Sequence, residues 1–339
     1  MSRLYGGIDL HSNNSVVVLS PGNDEVVYKK RLRNELSVIL DALSPYQKDI
    51  EGLVVESTYN WYWLVDGLQE AGYRVHLANT AAIGQYEGLK YGDDESDARW
   101  LAKMLWLGVL PEGHIYPKEE RPVRDLMRKR GHLVQQRTSQ VLSIQNLLAR
   151  NTGRRLSGNA IKALKDEDVE TMQPNEELAL ALKSSAAVMR CLDEQIKVVE
   201  RAVKGRVRLR EEFKGLLTVS GVGPVLALTI MLETGDIGRF EGVGNFASYA
   251  RCVDSDRKSN GKSKGSGNRK NGNKYLSWAF VEAANFAVRY DPVIKRYYQR
   301  KTAKTLPAVG YKAVAHKLAR ACYYILRDQV AFDVTRAFV

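Results

Sequence analysis

The chain has 339 residues, 44% of them hydrophobic, and a formal charge of +12, which suits two or three packed domains with a polyanionic partner such as nucleic acid. Its three cysteines, Cys191, Cys252 and Cys322, are far apart, so neither a disulfide framework nor a zinc site is expected. The N-terminus lacks a signal-peptide core and no apolar run reaches the roughly 18 residues of a membrane span, so we expect a soluble cytoplasmic protein with no membrane partner.

The N-terminal third predicts an α/β sheet. Three strands are expected first, with the polar turn HSNN between the first two, and Asn34 is expected to cap the helix that follows them. Helix and strand then alternate. This order is typical of a ribonuclease-H-like fold. The expected strands are 4–10, 15–19, 25–32, 51–56 and 73–78, and the expected helices are 35–43, 61–70 and 94–107.

Four carboxylates lie at chemically informative places in this sheet. Asp9 is inside the first apolar strand, where a charge is costly unless it is paired or holds a metal, and Glu56 ends the fourth strand. Asp94 and Asp97 share one face at the start of a helix, although acids there are also favoured by the helix dipole alone. Converging carboxylates suit two Mg²⁺ ions and phosphoryl transfer. The adjacent Asp93 is an alternative to Asp94.

The middle of the chain predicts two long helices. Apolar residues recur every seven positions over 124–150 and again over 178–203, a pattern typical of an antiparallel coiled pair or an oligomerisation arm. Basic residues cluster at the start of the first helix. They favour phosphate contact, although a solvated face is the ordinary alternative. The candidates for nucleic-acid binding here are Arg124, Arg128, Lys129 and Arg130.

The last third begins with the stretch LLTVSGVGPVLALTI, in which a helix end, a glycine-rich turn and Pro224 predict a helical hairpin. Gly221 and Gly223 could offer backbone N–H groups to a phosphate, as in a helix-hairpin-helix element, or could simply form a packing corner. A short helix at 245–250 follows. Three further helices are expected near the C-terminus, at 278–290, 292–304 and 310–327.

The segment DSDRKSNGKSKGSGNRKNGNK, residues 254–274, lies between apolar helices and contains no apolar side chain. Alone it would be a disordered basic loop or a solvated linker. Its glycines permit close approach to a polyanion, its cations neutralise phosphates, and its serines can donate to phosphate or attack it. The cations expected to contact nucleic acid are Lys262, Lys264, Arg269, Lys270 and Lys274.

Several motifs together resemble the DEDD insertion-sequence transposases related to Piv-type DNA invertases, in particular the IS-eleven-eleven subgroup of the IS-one-ten family. The motifs are GIDLH, VVEST, DESDAR, SGVGPVLALTI and SNGKSKGSGNRKNGNKYLSWAFVEAA. The resemblance implies a RuvC-like catalytic domain (1–117), a coiled-coil connector (118–212) and a transposase domain (213–339). It also implies that Asp9, Glu56, Asp94 and Asp97 form a metal-binding tetrad.

The same resemblance implies a nucleophilic serine, which falls on Ser259. Asn260 follows it where the wider family has glycine, so Ser255 and Ser263 stay as alternatives. A structured bridge RNA, element and target DNA, and dimers or tetramers are also implied, in a bacterial nucleoid-associated enzyme.

Three other functions fit parts of the sequence. A RuvC-like nuclease or resolvase would use the same acids with water as nucleophile and form no covalent adduct. A sugar-kinase or actin-like ATPase also opens with a GIDL-type strand, but the later glycine-rich phosphate loop is missing from the sequence. A non-catalytic nucleic-acid-binding protein would explain the charge but not a buried Asp9.

Overall fold

A computed structural model describes residues 3–22, 25–83, 93–172, 175–207, 210–253, 256–266 and 271–339. The chain forms two compact units. The first, the α/β unit, comprises Met1–Lys118 and Ser255–Asn271, and the second, the helical unit, comprises Glu119–Asp254 and Gly272–Val339. The three-domain division at residues 117 and 212 stays a prediction.

The α/β unit is built on a five-stranded sheet of order β3-β2-β1-β4-β5. Strand β1 is antiparallel to β2, which is antiparallel to β3, while β1, β4 and β5 run parallel. The predicted order of three antiparallel strands followed by alternating helix and strand is confirmed. The elements are β1 Leu4–Leu10, β2 Asn14–Ser20, β3 Tyr28–Arg33, α1 Leu36–Leu43, β4 Ile50–Glu56, α2 Tyr62–Glu70, β5 Val75–Ala78 and α3 Asp94–Leu107.

Helices cover both faces of this sheet, where the strands β1, β2 and β4 bury apolar residues on both sides. Ile8 and Leu10 of β1 join the buried core that includes residues of α1 and α2, while α3 packs on the opposite face. That opposite face also carries Gly7. A Cβ at Gly7 would lie 1.8 Å from the carbonyl oxygen of Ala98, so only glycine allows α3 to approach β1 this closely.

The basic segment contains a two-stranded hairpin, β6 (Asp256–Ser259) and β7 (Lys262–Ser266), rather than a structureless loop. Its turn residues Asn260 and Gly261 have φ of 51° and 72°, as the type I′ turns that join twisted strands require. Ser259 therefore ends β6 and pairs with Lys262. The structure gives Ser263 and Lys264 backbone positions in β7, and Ser255, Arg269 and Lys270 lie outside the described residues.

The helical unit is organised around two long antiparallel helices, α4 and α7, as predicted. Arg130 of α4 pairs with Glu200 of α7, and Arg137 pairs with Asp193, which fixes the antiparallel register. The described helices are α4 Arg121–Thr152, α5 Gly158–Lys162, α6 Asp166–Met172, α7 Glu176–Val207, α8 Glu211–Leu217, α9 Pro224–Thr234, α10 Val243–Tyr249, α11 Lys274–Tyr290, α12 Pro292–Thr302, α13 Pro307–Asp328 and α14 Val334–Phe338. Within the ranges that the structure describes, a helix with the length and apolarity to cross a membrane is not found.

Candidate active site

The sheet places Asp9 and Glu56 side by side. Ile8 of β1 pairs with Val55 of the parallel strand β4, so the next residue of each strand is Asp9 and Glu56 respectively. Asp9 is 3% exposed. Burial is the main reason that the pKa of Glu56 is raised to about 7, and a hydrogen bond with Asp9 and the charges of Asp9 and Asp97 add to it.

The first turn of α3 supplies the other two acids. Asp93 caps the helix, since its Oδ1 accepts hydrogen bonds from the Ser96 amide (2.7 Å) and the Ser96 hydroxyl (2.5 Å), which lower the pKa of Asp93. Asp94 does not cap the helix, and its Oδ2 contacts the side chains of His11 and Arg31. The geometry therefore favours Asp94 over Asp93 as a member of the cluster.

Asp97, one turn further along α3, joins the same concentration of negative charge. Its pKa is raised, first by burial and then by the charges of Asp9, Asp94 and Asp93. The structure thus brings together all four carboxylates that the sequence singles out. Two of them, Glu56 and Asp97, are held in an environment that resists their ionisation.

His11 lies between two members of the cluster, Asp9 and Asp94. Its Nε2 is 3.2 Å from Asp9 Oδ2 and 3.2 Å from Asp94 Oδ2. The backbone of His11 is fixed because its carbonyl accepts hydrogen bonds from the side-chain amides of Asn34 (3.0 Å) and Asn60 (2.9 Å). The prediction that Asn34 caps α1 is wrong. Glu35 occupies the cap position, and Asn34 anchors the turn that carries His11.

Arg31 on β3 provides the second contact to Asp94, with 2.5 Å between Arg31 Nη2 and Asp94 Oδ2. This hydrogen bond is the main reason that the pKa of Asp94 is lowered. Sequence reasoning missed His11 and Arg31. The available signal for His11 was its position two residues after Asp9 in GIDLH. For Arg31 it was a basic residue on β3, the strand that pairs with β2, which in turn pairs with β1.

The donor set fits a divalent cation. Asp9, His11 and Asp94 each offer a ligand atom, and these atoms lie within 4.8 Å of one another. Within the described part of the chain, the buried Nε2 of His11 has no hydrogen bond of good geometry despite its two carboxylate neighbours. Carboxylate oxygens with one imidazole nitrogen are ordinary ligands of divalent metals. The cluster is suited to binding such a metal.

The predicted nucleic-acid contacts on α4 divide into two groups. Arg124 is buried, Arg128 makes two hydrogen bonds to the Glu233 carboxylate, and Arg130 pairs with Glu200. These three arginines are engaged within the helical unit, which weighs against their contacting phosphate. Among the candidates whose side chains the structure describes, the exposed cations are Lys129 on α4, Lys262 on the hairpin and Lys274 at the start of α11.

The glycine-rich turn before α9 packs tightly. Gly221 has φ of 86°, and a Cβ there would lie 2.3 Å from the carbonyl oxygen of Ala283 on α11. Gly223 is the N-cap residue of α9, with open space around the position of a Cβ. The packing corner therefore accounts for Gly221, whereas Gly223 has room for a ligand.

Two family models match the chain. A DEDD transposase model of the IS110 type matches residues 6–151, and the model described as the transposase IS116/IS110/IS902 family matches residues 214–299. Together they span about two thirds of the sequence. With the α/β sheet and the acidic cluster, these matches define a DNA-processing enzyme, a transposase. The chain belongs to the IS110 family of DEDD transposases, whose genes lie in insertion sequences.

Two curated relatives illustrate the similarity. A Pseudomonas aeruginosa protein named "Probable family 20 transposase" is 24% identical over 80% of this chain and 82% of its own length. The "Insertion element IS116 uncharacterized 44.8 kDa protein" of Streptomyces clavuligerus is 26% identical over 52% of this chain and 44% of its own length.

Proposed function

We propose that this transposase cuts and rejoins DNA through a serine nucleophile, Ser259, acting with the acidic tetrad Asp9, Glu56, Asp94 and Asp97. The observation that carries the proposal is the convergence of the four carboxylates on one end of the sheet, where His11 contacts two of them. A water nucleophile would need the same acids, so the serine is the part that experiment must decide.

The strand order β3-β2-β1-β4-β5, with acids on β1, β4 and a helix packed on the sheet, supports a RuvC-like ribonuclease-H fold. In this proposal the α/β unit is the catalytic domain, α4 and α7 form a coiled-coil connector, and the C-terminal helices form the transposase domain. The turn at Gly223 would then act as the helix-hairpin-helix-like element.

The tetrad would hold Mg²⁺, in a two-ion arrangement. Bound Mg²⁺ supplies positive charge for the phosphoryl group as negative charge builds up in the transition state. Asp9 and Glu56 would be ligands from the sheet, and Asp94 and Asp97 from α3. The raised pKa values of Glu56 and Asp97 support this role, because burial and then the neighbouring carboxylates oppose their ionisation, and a bound cation would offset both effects.

The chemistry begins at the Ser259 hydroxyl, a weak nucleophile until a base takes its proton. We assign that proton to a carboxylate of the cluster. Ser259 Oγ then bonds to phosphorus as one bond between phosphorus and a DNA oxygen breaks. The displaced DNA oxygen takes the proton from that carboxylate and leaves as a hydroxyl. Attack by the hydroxyl of the exchanged strand reverses these steps, releasing the serine. Bond energy is conserved, so no ATP is needed.

One contact within the α/β unit ties the end of the basic segment to the sheet. The segment Ser255–Asn271 belongs to the same compact unit as the sheet. Asn79, directly after β5, donates a hydrogen bond to Asn271 (3.3 Å) at the end of this segment. The nucleophile and the acids therefore belong to one folding unit in this proposal.

The partners proposed are element and target DNA, a structured bridge RNA that pairs with both, and further copies of the chain in a dimer or tetramer. Exposed lysines on α4 and around the hairpin, Lys129, Lys262 and Lys274, are the first candidates for phosphate contact. Their side chains are exposed, unlike those of Arg128 and Arg130, so binding a phosphate would not leave a glutamate inside the protein without its partner charge.

The test is covalent trapping of labelled element DNA, with bridge RNA and Mg²⁺, under denaturing conditions. Wild-type protein should yield a protein–DNA adduct that Ser259→Ala abolishes. Ser255→Ala and Ser263→Ala serve as matched controls and should retain the adduct. Asp9→Asn should stop cleavage but keep DNA binding within about threefold, because a charge at the metal site is lost while the binding surface remains. Cleavage by wild-type protein without an adduct would identify water as the nucleophile instead.

A further inference from the structure

A buried polar network lies in the helical unit, away from the acidic tetrad. Glu233, in the last turn of α9, is 4% exposed, and its carboxylate accepts hydrogen bonds from Arg128 Nε (2.6 Å) and Arg128 Nη2 (2.7 Å). Asn273 Nδ2 donates a third hydrogen bond to the same carboxylate, at 2.8 Å. We call these three residues the buried triad.

The position of Glu233 is unfavourable on two counts. Burial of a carboxylate costs free energy unless the charge is fully compensated, and a negative charge in the last turn of a helix opposes the helix dipole. A hydrophobic residue would pack there at lower cost. The compensation by Arg128 and Asn273 therefore suggests that the triad fixes a specific geometry rather than simply adding stability.

What the triad fixes is the point where the basic segment leaves and re-enters the helical unit. Asn273 lies where the chain returns from the basic segment. Its backbone N–H donates to the carbonyl oxygen of Tyr249 (2.6 Å), which lies just before the chain enters that segment. Arg251 Nη2 donates to the carbonyl oxygen of Gly272 (3.0 Å). We call these four residues, Tyr249, Arg251, Gly272 and Asn273, the neck.

The neck is tied to two helices at once. The Asn273 Oδ1 accepts hydrogen bonds from the amides of Tyr275 (2.8 Å) and Leu276 (3.1 Å), so Asn273 is also the N-cap of α11. Arg128 comes from α4, and its guanidinium stacks over the Tyr275 ring at 4.7 Å from the centroid. The neck therefore has a fixed position relative to the long helix α4.

We propose that Arg128, Glu233 and Asn273 are positioning residues for the hairpin that carries Ser259. The triad holds the two ends of the basic segment together at the neck and fixes the neck to α4 through Arg128. This inference rests on the proposed serine chemistry. It reassigns Arg128 from phosphate contact to the triad. A nucleophile on a short hairpin depends on both of its anchor points, and a displacement of about 1 Å at a reacting atom can cost about 100-fold in rate.

The cleanest perturbation is Asn273→Asp. The substituted side chain keeps the oxygen that caps α11 but loses the N–H that donates to Glu233, and it sets a second carboxylate beside the first. We expect the neck to open and the rate of adduct formation with labelled element DNA to fall at least about tenfold. Adding Glu233→Gln restores a donor and an acceptor in exchanged positions between residues 233 and 273, although Arg128 Nη2 loses the oxygen that it shares with Asn273 Nδ2. The double variant should therefore recover part of the lost rate.

Two further readouts separate positioning from general loss of structure. Hydrogen exchange on the full chain should show faster exchange at the backbone amide of residue 273 in Asn273→Asp than in wild type. The backbone amides of Tyr275 and Leu276, which the side-chain oxygen of residue 273 still caps, should stay protected. Asp193→Asn is the matched control, because it breaks the Arg137 ion pair between α4 and α7 far along the chain from the neck. It should lower the unfolding midpoint without changing the rate of adduct formation.

An adduct rate for Asn273→Asp within about twofold of wild type would overturn the inference, as would a loss that the double variant does not restore even in part or that Asp193→Asn reproduces. If wild-type protein forms no adduct at all, the serine proposal fails. The exchange measurement then still decides whether the triad closes the neck: unchanged exchange at Asn273 refutes it.

Discussion

Replacing Glu56 by glutamine should stabilise the metal-free protein at neutral to alkaline pH while removing a proposed metal ligand. Glu56 is a partly buried carboxyl whose pKa rises from an ordinary 4.5 to about 7. Between these values the unfolded chain releases the proton and the folded chain keeps it. Stability conferred by the protonated form is therefore complete below about pH 4.5 and is lost as pH rises through 7.

The size of the effect follows from the same values. A rise of this extent would correspond to about 3 kcal/mol for a fully buried group. Glu56 is only partly buried, so solvent screening reduces the expected gain to about 1–2 kcal/mol at pH 8. Glutamine has the same shape and no charge to desolvate. The variant should thus be more stable than wild type at pH 8, with the difference vanishing near pH 4.

Urea denaturation followed by tryptophan fluorescence is the assay, since four of the five tryptophans lie in the α/β unit. Adding Mg²⁺ should stabilise wild type and have much less effect on Glu56→Gln, because that variant lacks one of the proposed ligands. The control is Glu51→Gln, a partly exposed acid on the same strand that pairs with the surface residue Arg3, which should change stability by less than about 0.5 kcal/mol at either pH. Equal or lower stability of Glu56→Gln at pH 8 would refute the reasoning.

Three further changes have defined outcomes. Gly7→Ala should destabilise the α/β unit by about 1–3 kcal/mol in urea denaturation and weaken its stabilisation by Mg²⁺, because the new Cβ would collide with Ala98 and push α3 away from β1. The control Gly113→Ala should be nearly neutral, because the nearest atom to its Cβ is 3.5 Å away. Asn260→Val should reduce adduct yield and Asn260→Gly should retain it, because the turn needs a positive φ. DNA affinity should fall steeply with salt, and Lys262→Ala should reduce the slope of log K against log salt by about 1; a flat response would exclude phosphate contact.

The sequence predicted the sheet order and the carboxylate positions because both follow from local patterns. Asp9 is conspicuous as a charge in an apolar strand, and Asp94 and Asp97 are conspicuous by helical spacing. His11 could not be recognised in this way. Its place depends on Asn34 and Asn60, which are 23 and 49 residues away along the chain and gave only turn or capping signals of their own.

The same limit explains the arginines of α4. A basic cluster reads as a phosphate-binding face when only neighbouring residues are considered. Arg128 is instead matched by Glu233, 105 residues later, and Arg130 by Glu200, 70 residues later. The hairpin at Asn260-Gly261 did carry a local signal, since Asn-Gly is typical of a two-residue turn. The absence of apolar residues around it concealed the strands.

Glu233 is buried and Glu56 is partly buried, and their partners indicate opposite roles. Glu233 faces an arginine and an amide, so its charge is compensated within the protein. Glu56 faces Asp9 and Asp97, so its charge is opposed. The same glutamate-to-glutamine change should therefore have opposite signs at pH 8: Glu56→Gln stabilises the α/β unit, whereas Glu233→Gln leaves Arg128 partly unpaired and destabilises the helical unit by about 1–3 kcal/mol. Far-ultraviolet circular dichroism, dominated by helix, would follow the second transition. If both substitutions changed the free energy of unfolding in the same direction, burial alone, and not the charge of the neighbours, would decide the effect of these carboxylates on stability. The acidic cluster would then lose its strongest physical argument for needing a cation.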